Sequence, residues 1–222
     1  MIIDCISDLH GYYPELEGGD LLIVAGDFTA RDEPMQLYEF GEWLRMQPYQ
    51  KKICIAGNHD NLLVQSKGFN GPDSSLYFDY LCDSGTEFEG LKIWGSPWTK
   101  TFKGMNPHCK AFALTTEEEL EEKWRMIPYD VDILITHSPP YGILDPVTRD
   151  IFIEGHQSDK VEHAGSHSLA YYSRMHQPKL HVFGHIHEGY GKEVDEGITT
   201  YVNASHVNEK YQPVNPPLRI TL

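Results

Sequence analysis

The sequence predicts an α/β fold in which two β-sheets pack together and helices cover their outer faces. Five short apolar runs, each four to six residues long and rich in Ile, Val and Leu, are typical of strands buried on both faces. Helical patterns lie between these runs. The chain has 222 residues, 40% of them apolar, which is enough for one substantial core but short for two. We therefore predict a single domain spanning residues 1–222.

Each of the five apolar runs is followed, directly or after one glycine, by a residue that can bind a metal ion. The runs are Ile2 to Ser7, Leu21 to Ala25, Ile53 to Ala56, Val131 to Thr136 and Leu180 to Phe183. The segments that follow them are, in the same order, Asp8-Leu9-His10, Gly26-Asp27, Gly57-Asn58-His59-Asp60, His137 and Gly184-His185-Ile186-His187. Open α/β sheets bind ligands at the carboxyl edge of their strands. We therefore expect the five polar segments to converge at one edge.

Three helices are predicted between the strands. The first spans Pro34 to Met46, because Pro suits a first helical position and Pro48 ends the run. The second begins at Thr115 or Thr116, since each is followed three residues later by a Glu, as in a capping box. The third covers roughly Ser168 to Met175. These helices would cover the outer faces of the sheets.

Additional strand patterns suggest the second sheet. These patterns are Leu91 to Gly95, Ile198 to Ser205 and Leu218 to Leu222. A single doubly wound sheet is the alternative architecture. The least regular stretches are Gly68 to Ser75, Thr101 to Lys110 and Ser138 to Gly165.

Charge, cysteine usage and hydropathy limit the partners and the cellular location that we expect for this protein. The net charge of −15 argues against duplex nucleic acid or an anionic membrane as a partner. The four cysteines show no CxxC spacing, so we expect reduced, structural thiols. No export signal and no apolar run of spanning length is visible, so we expect a soluble, cytoplasmic protein.

The polar residues at the strand ends have the chemistry of a site for two divalent metal ions. Asp8 and His10 are two residues apart, as are His185 and His187, and extended backbone would direct both members of each pair to the same side. Imidazole, carboxylate and amide ligands without thiolate suit Mn, our first choice, and also Fe, Zn, Co or Ni. Two such ions can share a water, lower its pKa and stabilise an in-line phosphoryl displacement.

The predicted ligands divide into two sets that share one carboxylate. We predict that Asp27 bridges the ions, since a carboxylate has two oxygens. The first ion would take Asp8, His10 and His187, and the second would take Asn58, His137 and His185.

His59 and Asp60 are the predicted catalytic pair. His59 completes neither ligand set and is free to donate a proton to the leaving alkoxide or to bond the phosphoryl oxygens. Adjacent Asp60 could favour the protonated form of His59 and fix its orientation. The alternative is that His59 is a structural histidine.

Several residues outside the strand ends are candidates for contact with substrate. Tyr141, Arg149 and His156 lie in the long segment from Ser138 to Gly165, and loops of this length are often functional. His206 follows Asn203-Ala204-Ser205 near the expected active edge. Ordinary packing or surface roles are the alternatives for all four.

The strand-end motifs resemble a known family. The order D-x-H, G-D, G-N-H-D, T-H and G-H-x-H, which covers nearly the whole chain, resembles the calcineurin-like metallophosphoesterase superfamily. The resemblance implies a four-layer αββα sandwich of two mixed sheets flanked by helices, a dinuclear site with the ligand division given above, and a catalytic histidine at His59. Hydrolysis would proceed by attack of a hydroxide that bridges the metals.

Longer motifs resemble a narrower group, the metallophosphoesterase-domain-containing proteins known from vertebrate brain and their bacterial relatives. The segments are Gly95 to Trp98, Thr136 to Pro140, Pro178 to Gly191 and Tyr201 to Ser205. This resemblance implies a phosphodiesterase for small phosphodiesters, with cyclic nucleotides in the substrate class. Related phosphodiesterases include dimers, so a homodimer is expected by analogy. Some vertebrate members carry Gly in place of His185, and the full ligand set here predicts stronger metal binding and faster turnover than theirs.

Two other functions compete with the phosphodiesterase. A phosphomonoesterase or phosphoprotein phosphatase would use the same chemistry, and Arg31 falls at the offset of the phosphate-binding arginine of such enzymes. Their Gly-Asp-x-x-Asp-Arg-Gly and Gly-Asn-His-Glu motifs are nevertheless replaced here by the segments Gly26 to Asp32 and Gly57 to Asp60. A binding scaffold without catalysis is disfavoured because all seven ligand positions and His59 are present.

Overall fold

The structure is a computed structural model that describes residues 1–31, 33–66, 77–101, 109–153, 156–195 and 197–222. For residues 65–66, 149–153 and 156–159 only the backbone is described. The predicted irregular stretch Gly68 to Ser75, and residues 102–108 of the stretch Thr101 to Lys110, lie outside the described residues.

The described part of the chain contains strands with helices between some of them, and several strands follow one another directly. The strands are β1 (Ile2–Ile6), β2 (Gly19–Ala25), β3 (Tyr49–Ile55), β4 (Asp79–Tyr80), β5 (Ser84–Phe88), β6 (Leu91–Ser96), β7 (Thr99–Lys100), β8 (Ala113–Leu114), β9 (Ile133–Thr136), β10 (Pro146–Ile153), β11 (His156–His163), β12 (Leu180–Phe183), β13 (Gly191–Asp195), β14 (Thr199–Asn203) and β15 (Leu218–Thr221). The helices are α1 (Pro34–Met46), α2 (Asn61–Ser66), α3 (Glu117–Trp124) and α4 (His167–His176).

The strands form two large mixed sheets. The first has the order β15-β1-β2-β3-β4, and the second has the order β13-β14-β12-β9-β6-β5. In both sheets the inner strands are parallel, whereas β15, β13 and β5 pair antiparallel with their neighbours. The carboxyl ends of the inner strands therefore share an edge within each sheet.

The predicted packing of two sheets with helices outside is confirmed. One apolar cluster joins side chains from the facing surfaces of both sheets, such as Ile23 of β2 and Ile135 of β9. A second cluster packs Phe40 of α1 against the other face of the first sheet. A third packs Trp124 of α3 and Leu169 of α4 against the second sheet. The layers follow the order α, β, β, α, so the alternative of a single doubly wound sheet is wrong.

The helix boundaries follow their predicted signals closely. Pro34 begins α1. At α3, Thr116 rather than Thr115 is the cap, and Glu119 completes the capping box. Helix α4 extends one residue beyond the prediction at each end, with Ser166 accepting a hydrogen bond from the Leu169 amide.

Two strand predictions need correction. The segment Leu218 to Leu222 was expected in the second sheet, but β15 pairs with β1 at the edge of the first, with Leu218 opposite Cys5. An alternating pattern reports a half-buried strand but not its partner. The segment Ser138 to Gly165, expected to be irregular, contains the antiparallel hairpin β10–β11. The β-branched and aromatic residues of β10 carried that signal.

None of the helices in the described part of the chain combines the length and the apolar character that crossing a bilayer requires.

Candidate metal centre

The strand ends of both sheets meet where the sheets face each other. We call the seven residues gathered there the candidate metal centre. They are Asp8, His10, Asp27, Asn58, His137, His185 and His187. Within each sheet, backbone hydrogen bonds join the strand ends: the Asp8 amide donates to the Gly26 carbonyl (2.9 Å), and the Gly184 amide donates to the His137 carbonyl (3.2 Å). Between the sheets, the His185 amide donates to Asp8 Oδ2 (3.0 Å). The predicted convergence therefore occurs, with contributions from both sheets.

Four members of the candidate metal centre adopt left-handed backbone conformations. Their φ angles are 51° at Asp8, 44° at His10, 51° at Asp27 and 69° at His185. The expectation that an extended backbone directs Asp8 and His10 to one side is therefore wrong, because the chain turns sharply as soon as β1 ends. Such conformations cost about 1–3 kcal/mol each and cluster at functional sites.

The glycines of the sequence motifs are required by close packing around these side chains. A Cβ atom on Gly26 would lie 2.5 Å from His137 Nδ1. On Gly57 it would overlap Asp27 Oδ1, and on Gly184 it would overlap Asp8 Oδ2. Any other residue would therefore displace a member of the candidate metal centre, which explains the G-D, G-N-H-D and G-H-x-H motifs physically.

The polar atoms form overlapping groups small enough to surround a metal ion. Within each group the potential ligand atoms all lie within 4.8 Å of one another. The groups are Asp8 with His10 and His187, His10 with Asp27 and His59, and Asp27 with His137 and His185. Asp27 Oδ2 lies 3.9 Å from His10 Nε2 and 3.2 Å from His137 Nε2. Its carboxylate therefore adjoins ligands of both predicted sets.

Outer hydrogen bonds aim the ring nitrogens at the centre. His137 Nδ1 donates to the Ala25 carbonyl (2.8 Å), and His187 Nδ1 donates to the Asn208 carbonyl (3.1 Å). Their Nε2 atoms then face carboxylates, with His187 Nε2 lying 3.3 Å from Asp8 Oδ1. Fixing one imidazole nitrogen so that the other faces a metal is a common arrangement in metalloproteins.

Asn58 and Asp8 are oriented in the same way. Asn58 Nδ2 donates to the Cys109 carbonyl (3.3 Å), which turns Oδ1 to within 3.2 Å of His137 Nε2. Asp8 Oδ2 accepts a hydrogen bond from Ser205 Oγ (2.8 Å). Both residues are buried, so these partners hold the amide and carboxylate oxygens toward the centre.

Both carboxylates of the candidate metal centre are ionised at neutral pH. Burial acts to raise the pKa of Asp8, but the hydrogen bond and charge of His187 lower this pKa below its ordinary value. Burial acts in the same direction on Asp27, and the charges of His137 and His59 hold its pKa well below the usual range. Anionic carboxylates are the form that binds a cation.

The histidines fall into two classes of protonation. Burial lowers the pKa of His10 to about 4 and that of His185 to about 3, so both rings are neutral and ready to coordinate. Burial also opposes protonation of His137, but the charge and hydrogen bond of Asp27 raise its pKa to about 9. A metal ion bound beside Asp27 would replace the proton on His137.

His10 is the clearest sign that the residues fit a metal ion. Its side chain is buried, yet neither ring nitrogen has a hydrogen-bond partner within the described part of the chain. Leaving a buried polar atom unpaired costs about 1–3 kcal/mol. Coordination through one nitrogen would satisfy it, and the neighbouring oxygen and nitrogen donors suit a divalent ion.

The predicted catalytic pair is only partly adjacent to the centre. His59 Nε2 lies 3.9 Å from Asp27 Oδ2, so its ring faces the centre. Asp60 does not orient that ring: its carboxylate accepts bonds from Thr29 N, Thr29 Oγ1 and Gly57 N. Burial, followed by the charge of Asp27, raises the pKa of Asp60 to about 7. Asp60 therefore stabilises the loop that carries His59.

The predicted substrate residues lie in different places. Arg31 is exposed, and its amide donates to Gln36 Oε1 (2.9 Å). Tyr141 stacks on His167, with a ring separation of 3.7 Å, beside a surface cavity of about 430 Å³. His206 is buried and donates through Nδ1 to the Asn215 carbonyl (2.7 Å). Arg149 and His156 lie on the β10–β11 hairpin, and their side chains are outside the described part of the structure.

Two residues beside the centre were missed in the sequence. Cys109 Sγ lies 3.4 Å from His59 Nδ1, although the cysteines were interpreted only as structural. The Tyr211 ring lies 4.9 Å from that of His10 and 5.1 Å from that of His187. Neither residue belongs to a strand-end motif, so no local signal identified them.

Known proteins share both the sequence and the fold. A family model described as calcineurin-like phosphoesterase matches residues 1–189. Metallophosphoesterase domain-containing protein 1 of Homo sapiens is 41% identical over 243 aligned positions, covering 98% of this chain and 70% of that protein. A UPF0046 protein of Caenorhabditis elegans is 32% identical over 247 aligned positions, covering 96% and 58%.

Among solved structures, the phosphopantetheinyl hydrolase from Mycobacterium tuberculosis superposes with a TM-score of 0.57 at 16% identity. The match covers 98% of this chain and 95% of that chain and shows a shared fold. Together with the two buried carboxylates and their histidines, these matches lead to one conclusion. The chain belongs to the calcineurin-like phosphoesterase family of metal-dependent phosphoester hydrolases.

Proposed function

We propose that this protein hydrolyses small phosphodiesters, with cyclic nucleotides in the substrate class, using two divalent metal ions. One observation carries the proposal. The buried carboxylate of Asp27 belongs to two of the candidate metal groups, one with His137 and His185 and the other with His10 and His59, whose Nε2 lies 3.9 Å from Asp27 Oδ2. A carboxylate shared between two ions, with a histidine able to donate a proton beside it, suits two-metal phosphoryl transfer.

The candidate metal centre offers a complete ligand set to each ion. Asp8, His10 and His187 would hold one ion, Asn58, His137 and His185 would hold the other, and Asp27 would contact both. Divalent ions held in this way polarise phosphoryl oxygens and supply an activated water at neutral pH. We propose manganese as the native metal, since the donors are oxygen and nitrogen atoms without thiolate.

His59 is positioned to donate a proton to the leaving group. Its backbone amide donates to Asp27 Oδ1 (2.8 Å), which fixes the residue against the centre. Its side chain is 13% exposed, so the ring is held by its surroundings yet open to a ligand. With Nδ1 beside Cys109 Sγ, Nε2 is left to donate a proton to the departing alkoxide.

Electrostatics favour a diester over a monoester. Within the described part of the chain, the charges that most strongly perturb the pKa values of Asp8 and Asp27 belong to the histidines of the site, and neither Lys nor Arg is among them. A monoester near neutral pH carries close to two negative charges, whereas a diester carries one. Without a Lys or Arg among these charges, the second negative charge of a monoester would have only the metal ions to balance it, which favours the singly charged ester.

The proposed partner is a small phosphoester rather than duplex nucleic acid or an anionic membrane, because the chain carries a net charge of −15. The four cysteines are free thiols, which supports a reducing compartment and hence the cytoplasm as the proposed location.

The decisive experiment compares two ester types on one preparation. Protein loaded with manganese would be analysed for metal per chain and assayed with bis(p-nitrophenyl) phosphate and p-nitrophenyl phosphate. Asp27→Ala, prepared in parallel, reports any contaminating activity. We expect about two ions per chain and faster hydrolysis of the diester, with cyclic nucleotides tested next.

Two results would overturn the proposal. Faster turnover of the monoester would replace it with the phosphomonoesterase function. Tight metal binding without turnover of either ester under Mn, Zn, Fe, Co or Ni would exclude general diesterase activity.

A further inference from the structure

Tyr211 lies over the candidate metal centre although it comes from a distant part of the chain. Its ring meets those of His10 and His187 at 4.9 and 5.1 Å, with interplanar angles of 71° and 88°. The ring of His59 lies 6.2 Å away. Tyr211 also lies beyond residues 1–189, the part that matches the family model. It is therefore an addition to the site that the shared motifs do not include.

A tight loop holds Tyr211 in this position. The Tyr211 amide donates to the Asn208 carbonyl (2.8 Å), and Asn208 Oδ1 accepts bonds from the amides of Lys210 and Gln212 (3.0 Å each). The same Asn208 carbonyl accepts the hydrogen bond from His187 Nδ1. The loop is thus tied directly to a member of the candidate metal centre.

The backbone of Tyr211 is strained in a way that presents its ring. Its φ angle is 57°, a left-handed conformation that large residues rarely adopt. Such strain persists where surrounding contacts impose it, and it is concentrated at binding sites. Tyr211 nevertheless remains 48% exposed. Part of an aromatic surface is therefore open directly beside the centre.

The Tyr211 ring lies closer to two predicted metal ligands, His10 and His187, than to the predicted proton donor, His59. In the proposed function, the leaving group departs on the side of His59. The ester group that stays on phosphorus would then lie on the side of Tyr211.

We infer that Tyr211 is a specificity-determining residue, whose exposed ring packs against a planar aryl or nucleobase group on the retained ester of a phosphodiester. This inference rests on the proposed function and specifies its substrate class. Aromatic pairs in offset or edge-to-face geometry are worth roughly two- to tenfold in affinity beyond their buried area. Diesters with a flat retained group should therefore bind more tightly than alkyl analogues.

Two substrates with a common leaving group isolate this contact. Phenyl p-nitrophenyl phosphate and ethyl p-nitrophenyl phosphate both release p-nitrophenolate and differ only in the retained group. We expect the wild type to show a KM roughly fivefold lower for the phenyl ester. Tyr211→Leu should bring the ratio of the two KM values close to one, whereas Tyr211→Phe should keep it. Tyr129→Leu, at a surface tyrosine that is 74% exposed, is the matched control and should also keep it.

A binding measurement separates failure of this inference from failure of the proposed function. Phenyl phosphate and ethyl phosphate would be titrated calorimetrically into the manganese-loaded wild type and the same variants. If the wild type hydrolyses neither diester, the proposed function fails, and the ratio of dissociation constants still decides the role of Tyr211. Equal affinity of the wild type for both ligands, or a preference that Tyr211→Leu retains, would overturn the inference.

Discussion

Two buried imidazoles, His10 in the candidate metal centre and His181 behind it on β12, show how differently the protein treats the same side chain. Both are buried, and burial lowers the pKa of His10 to about 4 and that of His181 to about 3. Both nitrogens of His181 have partners: Nε2 lies 2.9 Å from Thr136 Oγ1, and Nδ1 lies 3.0 Å from Ser173 Oγ. Neither nitrogen of His10 has one within the described part of the chain.

This difference in hydrogen bonding indicates that His181 stabilises the fold, whereas His10 is available to bind a ligand. His181 joins α4 to the end of β9, so its hydrogen bonds are complete within the protein. His10 is left incomplete between two carboxylates, Asp8 and Asp27. An unpaired buried imidazole indicates a metal site only when carboxylates lie beside it. His176 is also buried and unpaired within the described residues, but it packs against the Tyr129 and Tyr172 rings and belongs to none of the three metal groups.

Removing the shared carboxylate should have the largest effect. Asp27→Ala should lower diester hydrolysis by about 10³-fold or more, because loss of metal charge stabilisation is worth several kcal/mol. Metal per chain should fall in the same preparation. The check is steady-state kinetics with metal analysis, with Asp130→Ala at an exposed aspartate as the control. Activity of Asp27→Ala within tenfold of wild type would show that the centre is not the site of hydrolysis.

Replacing the proton donor should have the next largest effect. His59→Asn should lower kcat by about 10²- to 10³-fold with metal content unchanged, because His59 stands outside both predicted ligand sets. The loss should be greater for an alkoxide leaving group than for p-nitrophenolate, which departs without help. Equal losses for both leaving groups would indicate that His59 does not donate the proton.

Truncating one imidazole of the second set should have an intermediate effect. His185→Gly should weaken binding of one manganese ion by about 10- to 100-fold and lower turnover, because a neutral ring is lost beside Asp27. Manganese titration with activity as a second readout measures both. His185→Asn, which restores an oxygen ligand, should fall between wild type and His185→Gly. Activity of His185→Gly equal to or above that of the wild type would contradict the prediction that the full set of seven ligands gives stronger metal binding and faster turnover.

Replacing His181, whose two ring nitrogens both have hydrogen-bond partners, should affect stability alone. His181→Gln should lower the free energy of unfolding by about 1–3 kcal/mol at pH 7 while leaving metal per folded chain unchanged. Chemical denaturation with metal analysis tests this. Loss of metal in a folded His181→Gln protein would remove the distinction between His10 and His181.

The difference in stability between the wild type and His181→Gln should also depend on pH. The unfolded chain binds a proton at His181 below about pH 6.5, but the folded protein does so only near pH 3. Wild-type stability therefore falls as pH decreases through this window, by at most about 1.4 kcal/mol per pH unit from this group. The stability difference between wild type and His181→Gln should narrow from pH 6.5 toward pH 3. A constant difference across the window would show that His181 is not held neutral.

The sequence alone determined the layered fold and the seven members of the candidate metal centre. Short apolar runs report burial on both faces, and a polar residue directly after such a run must lie at a strand end. The glycines of these motifs are also visible in the sequence. The reason that glycine is required there, close contact with Asp8, Asp27 and His137, is seen only in the three-dimensional structure.

Tertiary structure alone decided which distant segments meet. Strand pairing placed β15 beside β1, and left-handed backbone at Asp8, His10 and His185 replaced the extended geometry inferred from spacing. Asp60 bonds Thr29 rather than His59, and Tyr211 reaches the centre through a loop fixed by Asn208. Local patterns record the periodicity and burial of a segment, but contacts between side chains far apart in the chain depend on how the whole backbone packs.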